Sequence, residues 1–118
     1  MALELHELRA LDDLDAAIAA AGSRPLLIFK HSLTCGTSAF AFEELERLAA
    51  TPGLDADLLV VAVQQSRALS NAIAERWRIR HESPQALILV KGEIRWHASH
   101  YKLTREVMAE ALTRAAGH

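Results

Sequence analysis

Residues 26–40 read LLIFKHSLTCGTSAF: an apolar run, a polar turn and the opening of a helix. Pro25 precedes the run Leu26-Leu27-Ile28-Phe29, which has the pattern of a buried strand. The turn extends from Lys30 to Ser38 and contains Cys35, the only cysteine among 118 residues. Beyond it, Phe40, Leu45 and Leu48 are apolar while Glu43, Glu44, Glu46 and Arg47 are polar, the spacing of an amphipathic helix. Thr51-Pro52-Gly53 breaks that helix. The cysteine therefore stands where a buried strand hands over to a helix.

Working outward, the chain alternates strand and helix from end to end. Residues 2–8 alternate apolar and polar and suit a short edge strand. Residues 11–21 place Leu11, Leu14 and Ile18 at helical spacing. Asp12 and Asp13 sit at that helix's positive end, and Gly22 is a stop. Residues 58–63, LLVVAV, form a second buried strand, and residues 67–79 a helix with Leu69, Ile73 and Trp77 inward. Ser83-Pro84 leads directly into a strand over 85–91. Lys91-Gly92 or Gly92-Glu93 then turns the chain into 93–97, a hairpin. Thr104 is placed to cap a last helix running to Ala116. Glu106 follows by only two residues and is no capping-box partner. Parallel strands joined by a helix, then a hairpin and a closing helix, describe an α/β domain. Its mixed sheet carries helices on both faces, in the connectivity of the thioredoxin fold.

The position of Cys35 has a chemical consequence. The first amide N–H groups of a helix lack internal partners and carry partial positive charge. Such a terminus favours a thiolate, the species that attacks disulfides, over a thiol. Most lone cysteines are small buried hydrophobes. Here Ser32, Thr34, Thr37 and Ser38 make the flanks polar, so a reactive thiol is expected. Gly36 leaves room beside the sulfur for a substrate. Thr37 and Ser38 bring hydroxyls within local reach, and Lys30 and His31 are candidates for added positive potential. Ser38 stands where a dithiol oxidoreductase has its second cysteine. Any redox cycle must therefore pass through a mixed disulfide with an external thiol.

Pro84 opens the strand expected beside that of Cys35. In a thioredoxin fold its loop, with Ser83, faces the reactive cysteine and offers backbone hydrogen bonds to a bound thiol or peptide. The local sequence taken alone suits an ordinary trans proline. Arg67 follows the second buried strand at the same end. It suits either solvation or pairing with a substrate carboxylate. Ser70 and Asn71 are accounted for by capping-type bonds at a helix start. His97 and His100, three apart, would need two more ligands to make a metal site, for which Cys35 and His31 are the only pair to consider, and no metal is expected. His81 and Glu82 shape the loop before Pro84, while Trp77 and Trp96 read as packing residues.

Composition narrows the class further. Half the residues are apolar, enough for one core, and a single domain over 1–118 is expected. Thirteen Lys and Arg against fifteen Asp and Glu, scattered along the chain, argue against nucleic-acid binding. No apolar run has membrane-spanning length, and no basic, apolar leader opens the chain. One cysteine suits a reducing compartment, so a cytoplasmic location is expected.

Four stretches resemble one family in order and spacing. They are Phe29-Lys-His-Ser-Leu-Thr-Cys35-Gly-Thr-Ser38, Gln65-Ser-Arg67-Ala-Leu-Ser-Asn71, His81-Glu-Ser-Pro84-Gln85 and Trp96-His-Ala-Ser-His100. Together they are similar to the monothiol bacilliredoxins, over about residues 24–112. The resemblance implies a thioredoxin fold and removal of bacillithiol from modified protein cysteines. Cys35 would be the attacking thiol and Pro84 a cis-proline. Thr34, Gly36, Thr37, Ser38, Arg67 and Ser83 would line the substrate site. It implies no metal and no resident cofactor, with bacillithiol or a similar low-molecular-weight thiol as co-substrate. S-thiolated client proteins would be the partners, and the chain a monomer or weak dimer.

The sequence departs from that family at two places. The family commonly has Cys-Pro-Ile-Ser where this chain has Cys35-Gly36-Thr37-Ser38, and often a proline where Ala68 stands. The first change is toward the Cys-Gly-Phe-Ser of monothiol glutaredoxins. Those share this fold and thiol count, and hold an iron–sulfur cluster between two subunits using glutathione. Two alternatives follow: an iron–sulfur carrier without catalysis, and a binding module that kept the fold and lost the reaction.

Overall fold

Alternation along the strands explains how one sheet serves two cores. In a strand, successive side chains point to opposite faces. Leu27 and Phe29 go one way, and Leu26 and Ile28 the other, all at 2% exposure or less. The computed structural model describes residues 3–117 apart from Leu33 and Cys35. It contains β1 (Leu5–Glu7), α1 (Leu11–Ala21), β2 (Leu26–His31), α2 (Gly36–Ala49) and β3 (Asp57–Ala62). These are followed by α3 (Arg67–Trp77), β4 (Gln85–Val90), β5 (Glu93–Ser99), a 3₁₀ turn (His100–Lys102) and α4 (Arg105–Ala116). The strand order is β1-β3-β2-β4-β5. β1 and β2 run parallel to β3, whereas β4 is antiparallel to both β2 and β5.

Leu27, Phe29, Leu58, Val60, Ala86 and Ile88 build the core beneath α2 and α4. Leu26, Ile28, Leu59, Val61, Leu87 and Leu89 build the one beneath α1 and α3. This is the expected mixed sheet covered on both faces. Among the described residues no helix is long and apolar enough to cross a membrane. Several predicted ends shift by one to three residues. One change concerns Lys30 and His31, expected in the polar turn. They continue β2, because neighbours on both sides, β3 and β4, supply hydrogen-bonding partners as far as Ala62 and Gln85. β5 likewise runs on to Ser99, paired with Gln85. The hairpin turns on Lys91-Gly92, with φ of 54° and 78°, the pair of positive values a two-residue type I′ turn requires.

Thr104 caps α4 as expected, its side chain accepting from the Val107 N–H. A second support comes from α2. The half-ionic clamp of Glu44, 9% exposed, accepts from the Arg105 N–H at 2.9 Å and lies 3.4 Å from Arg47 Nη1. That N–H opens α4 and has no helical partner of its own. Glu44→Ala should therefore lower the unfolding free energy by about 1–2 kcal/mol, and Glu44→Gln by less, since it keeps an acceptor. Urea unfolding of the two variants checks this; equal midpoints would show that the clamp contributes nothing.

Candidate functional site

Cys35 itself lies outside the described residues, as does Leu33; the residues around them are described. Ser32 ends the approach from β2, and α2 begins at Gly36, directly after Cys35 in the chain. The Ser32 N–H donates to Ser38 Oγ at 3.1 Å, and Ser38 is fully buried. Gln64, in the turn that follows β3, donates to Ser32 Oγ at 2.5 Å and to Thr34 Oγ1 at 3.2 Å. The turn is thus held from the β3 side by Gln64 and from α2 by Ser38. A Cβ at Gly36 would meet nothing within 4 Å, so the first residue of α2 faces open space.

These contacts revise what the hydroxyls do. Ser38 is spent inside the turn. Thr37 Oγ1 points to Tyr101 Oη, 3.4 Å away in the 3₁₀ turn. Ser38→Ala would strand the Ser32 N–H in a part-buried place. A loss of about 1–2 kcal/mol is expected on thermal unfolding. Ser38→Thr retains the acceptor oxygen but adds a methyl group at a fully buried position.

Pro84 directly precedes β4, the strand beside β2. The Ser83-Pro84 bond is cis. Gln85 pairs with Lys30, which places Pro84 at the end of β2 from which the chain enters the Cys35 turn. The Pro84 carbonyl accepts from the His100 N–H at 3.0 Å. Ser83 Oγ and Gln85 Oε1 are buried with no hydrogen-bond partner among the described residues. Arg67 opens α3 and is exposed.

Lys30 corrects the sequence reading most sharply. Its side chain is fully buried on the α3 face. Nζ donates to the Ser70 carbonyl at 3.0 Å and lies 3.4 Å from His81 Nδ1. Ser70 Oγ is 3.2 Å from the same Nδ1. Ser70 is therefore not a cap: it joins α3 to the loop before Pro84. Burial pushes the Lys30 ammonium down to about 8. Burial first, then the Lys30 and Arg67 charges, lowers His81, with Glu82 acting in the opposite sense. A neutral His81 accepting through Nδ1 carries its proton on Nε2. His31, on the opposite face, stacks on Phe42 with ring centres 5.0 Å apart, and burial lowers its pKa against the pull of Glu7.

Three of the four sequence stretches meet at Lys30, Ser70 and His81. The fourth joins through Ser99, whose Oγ donates to Glu82 at 3.0 Å, and through His100. Sequence reasoning missed Gln64, Glu44 and Tyr101. Gln64 and Tyr101 each adjoin one of the four family-like stretches, which is a usable signal. Among the described residues no group of three or more His, Cys, Asp or Glu is arranged to hold a metal ion.

A model of the family described as monothiol bacilliredoxin BrxC matches residues 6–108. A solved structure described as a candidate oxidoreductase with a thioredoxin fold is similar at TM-score 0.82 and 32% identity, over 91% of this chain and 92% of that one. Spinach chloroplast thioredoxin f, short form, is similar at TM-score 0.77 and 19% identity, over 97% and 95%. A chloroplastic thioredoxin z has the same score and identity over 100% and 99%. The last two likenesses concern fold alone.

Proposed function

The chain belongs to the monothiol bacilliredoxin family and is a thiol oxidoreductase of thioredoxin fold, and on that premise we propose that it removes or carries bacillithiol on protein cysteines through Cys35. The Cys35 thiolate attacks the bacillithiol sulfur of a client mixed disulfide. The client–bacillithiol S–S bond breaks, and the client leaves as a thiolate that takes a proton from water. A new S–S bond joins bacillithiol to Cys35. A second bacillithiol thiolate then attacks that bond, releasing the Cys35 thiolate and a bacillithiol disulfide. One disulfide is exchanged at each step, and the two electrons that reduce the client come from the second bacillithiol, which leaves oxidised in the disulfide.

The observation that carries this reading is the family match combined with one cysteine directly ahead of α2. The cis Ser83-Pro84 bond, just before β4 at the adjoining end, supports it, with the Ser83 backbone as the group that would hydrogen-bond a bound thiol. The N-terminal amides of α2 would favour the attacking thiolate. Ser38, buried and engaged, supports release by an external thiol rather than by a second group in the chain. A cytoplasmic site of action is part of the proposal.

Intact mass spectrometry tests it. The protein is mixed in turn with peptides carrying bacillithiol, glutathione or coenzyme A in disulfide linkage. Fastest transfer of bacillithiol to the protein is expected. Preference for another thiol would reassign the co-substrate, and transfer of none would end the reading in favour of a binding module.

A further inference from the structure

The stretch from Trp96 to His100 takes no part in the exchange as written, yet it borders an open groove of about 860 Å³. The groove runs from Glu82, two residues before Pro84, past Trp96, His97 and Ser99 to Lys102 in the 3₁₀ turn. That volume suits a small molecule of several hundred daltons. Contacts tie the groove to Pro84 and to the start of α2. The His100 N–H donates to the Pro84 carbonyl at 3.0 Å. Tyr101 meets Thr37 at 3.4 Å and lies against Phe40 with ring centres 5.7 Å apart. Thr37 is two residues beyond Cys35 in the chain.

The backbone at this corner is costly. His100 has φ of +59°, a conformation that side-chain-bearing residues adopt at about 1 kcal/mol or more. A glycine would take it freely. The histidine keeps an imidazole on the groove, 3.8 Å from Glu82 Oε2. Ser99 holds the other Glu82 oxygen at 3.0 Å. Lys102 and His97, also lining the groove, have no ion-pair partner among the described residues. The groove thus offers one carboxylate already fixed in place, beside a free ammonium and an imidazole.

We propose that this groove is the subsite for the non-sulfur part of the small thiol, with Lys102 and His97 receiving a carboxylate and Glu82 an ammonium or hydroxyl. The chemistry selects zwitterionic, carboxylate-bearing thiols over simple aminothiols such as cysteamine. Charge-assisted bonds on an open groove set affinity modestly, so the discrimination is carried mainly in KM. The assignment rests on the exchange reaction proposed above, since it names where that reaction's small thiol sits.

The test separates the two. S-methylbacillithiol, which cannot form a disulfide, is titrated into the full chain and followed by NMR. Saturable shifts at His97, His100 and Lys102 are expected, with S-methylcysteamine giving none. Lys102→Met should weaken the first about three- to tenfold. With disulfide-linked peptides, the same variant should raise KM for the bacillithiol donor about three- to tenfold at unchanged kcat, and leave the cysteamine donor alone. Exchange without saturable shifts would overturn the subsite and spare the reaction. Shifts without exchange would do the reverse. An equal change for both donors would mark Lys102 as structural and overturn the subsite.

Discussion

Lys30→Met is expected to stabilise the protein at pH 7 by about 1–2 kcal/mol and to remove a pH dependence that the native chain shows. Lys30 is fully buried, and no carboxylate pairs with it among the described residues. Its two partners are a carbonyl and an imidazole nitrogen. An ammonium in such a place is penalised for lost hydration. Each pKa unit corresponds to about 1.4 kcal/mol, and the descent from 10.5 to about 8 sets the scale. His81, exposed at the edge of the cluster, gives water partial access, so the realised penalty is on the order of 2 kcal/mol. Methionine fills similar space without charge. The Ser70 carbonyl lies inside α3, where the helical ladder supplies another partner.

The sign follows from proton counts. Between about pH 8 and 10.5 the unfolded chain keeps the Lys30 proton while the folded one releases it. Stability of the native chain therefore rises with pH through that window. Below about 8 both states are protonated and the penalty is present in full. Urea unfolding at pH 7, 9 and 10 should show the slope in the native chain and its absence in Lys30→Met. A variant less stable at pH 7, with the slope intact, would mean that the ammonium is compensated.

Cys35→Ser is expected to abolish thiol transfer while leaving the circular dichroism spectrum unchanged. Cys35 is the only sulfur nucleophile in the chain, and no second thiol can substitute for it. A serine hydroxyl at neutral pH is neither ionised nor able to form a disulfide. The expected loss is complete within detection, larger than any effect at the surrounding residues. Alkylation of the native protein as a function of pH supplies a second measure: a thiolate present well below pH 8.5 is expected. Residual transfer by Cys35→Ser would place the chemistry elsewhere.

The alternation of elements was legible because apolar spacing is local. Leu14, Leu45, Leu48, Leu69 and Ile73 are buried where periodicity put them. Thr104 was legible as a cap because that role depends on the next few residues alone. The ends of β2 and β5 were not, since strand length depends on how far neighbouring strands continue to offer partners. Ser70 read as a cap because serine near a helix start usually is one. Its bond to His81 spans eleven residues, and no local signal announces it.

From the chain alone came the order of strands and helices, the single thiol at the head of a helix, and the proline opening the strand expected beside it. Those depend on interactions within a few residues. Packing decided that Lys30 is buried without a counter-ion, that Ser38 is occupied within the turn, and that Glu82, Ser99 and His100 converge beside Pro84. The Ser38 contact depends on how the turn folds over six residues, whereas the other two require residues distant in sequence to meet across neighbouring elements, and only the assembled sheet brings them together.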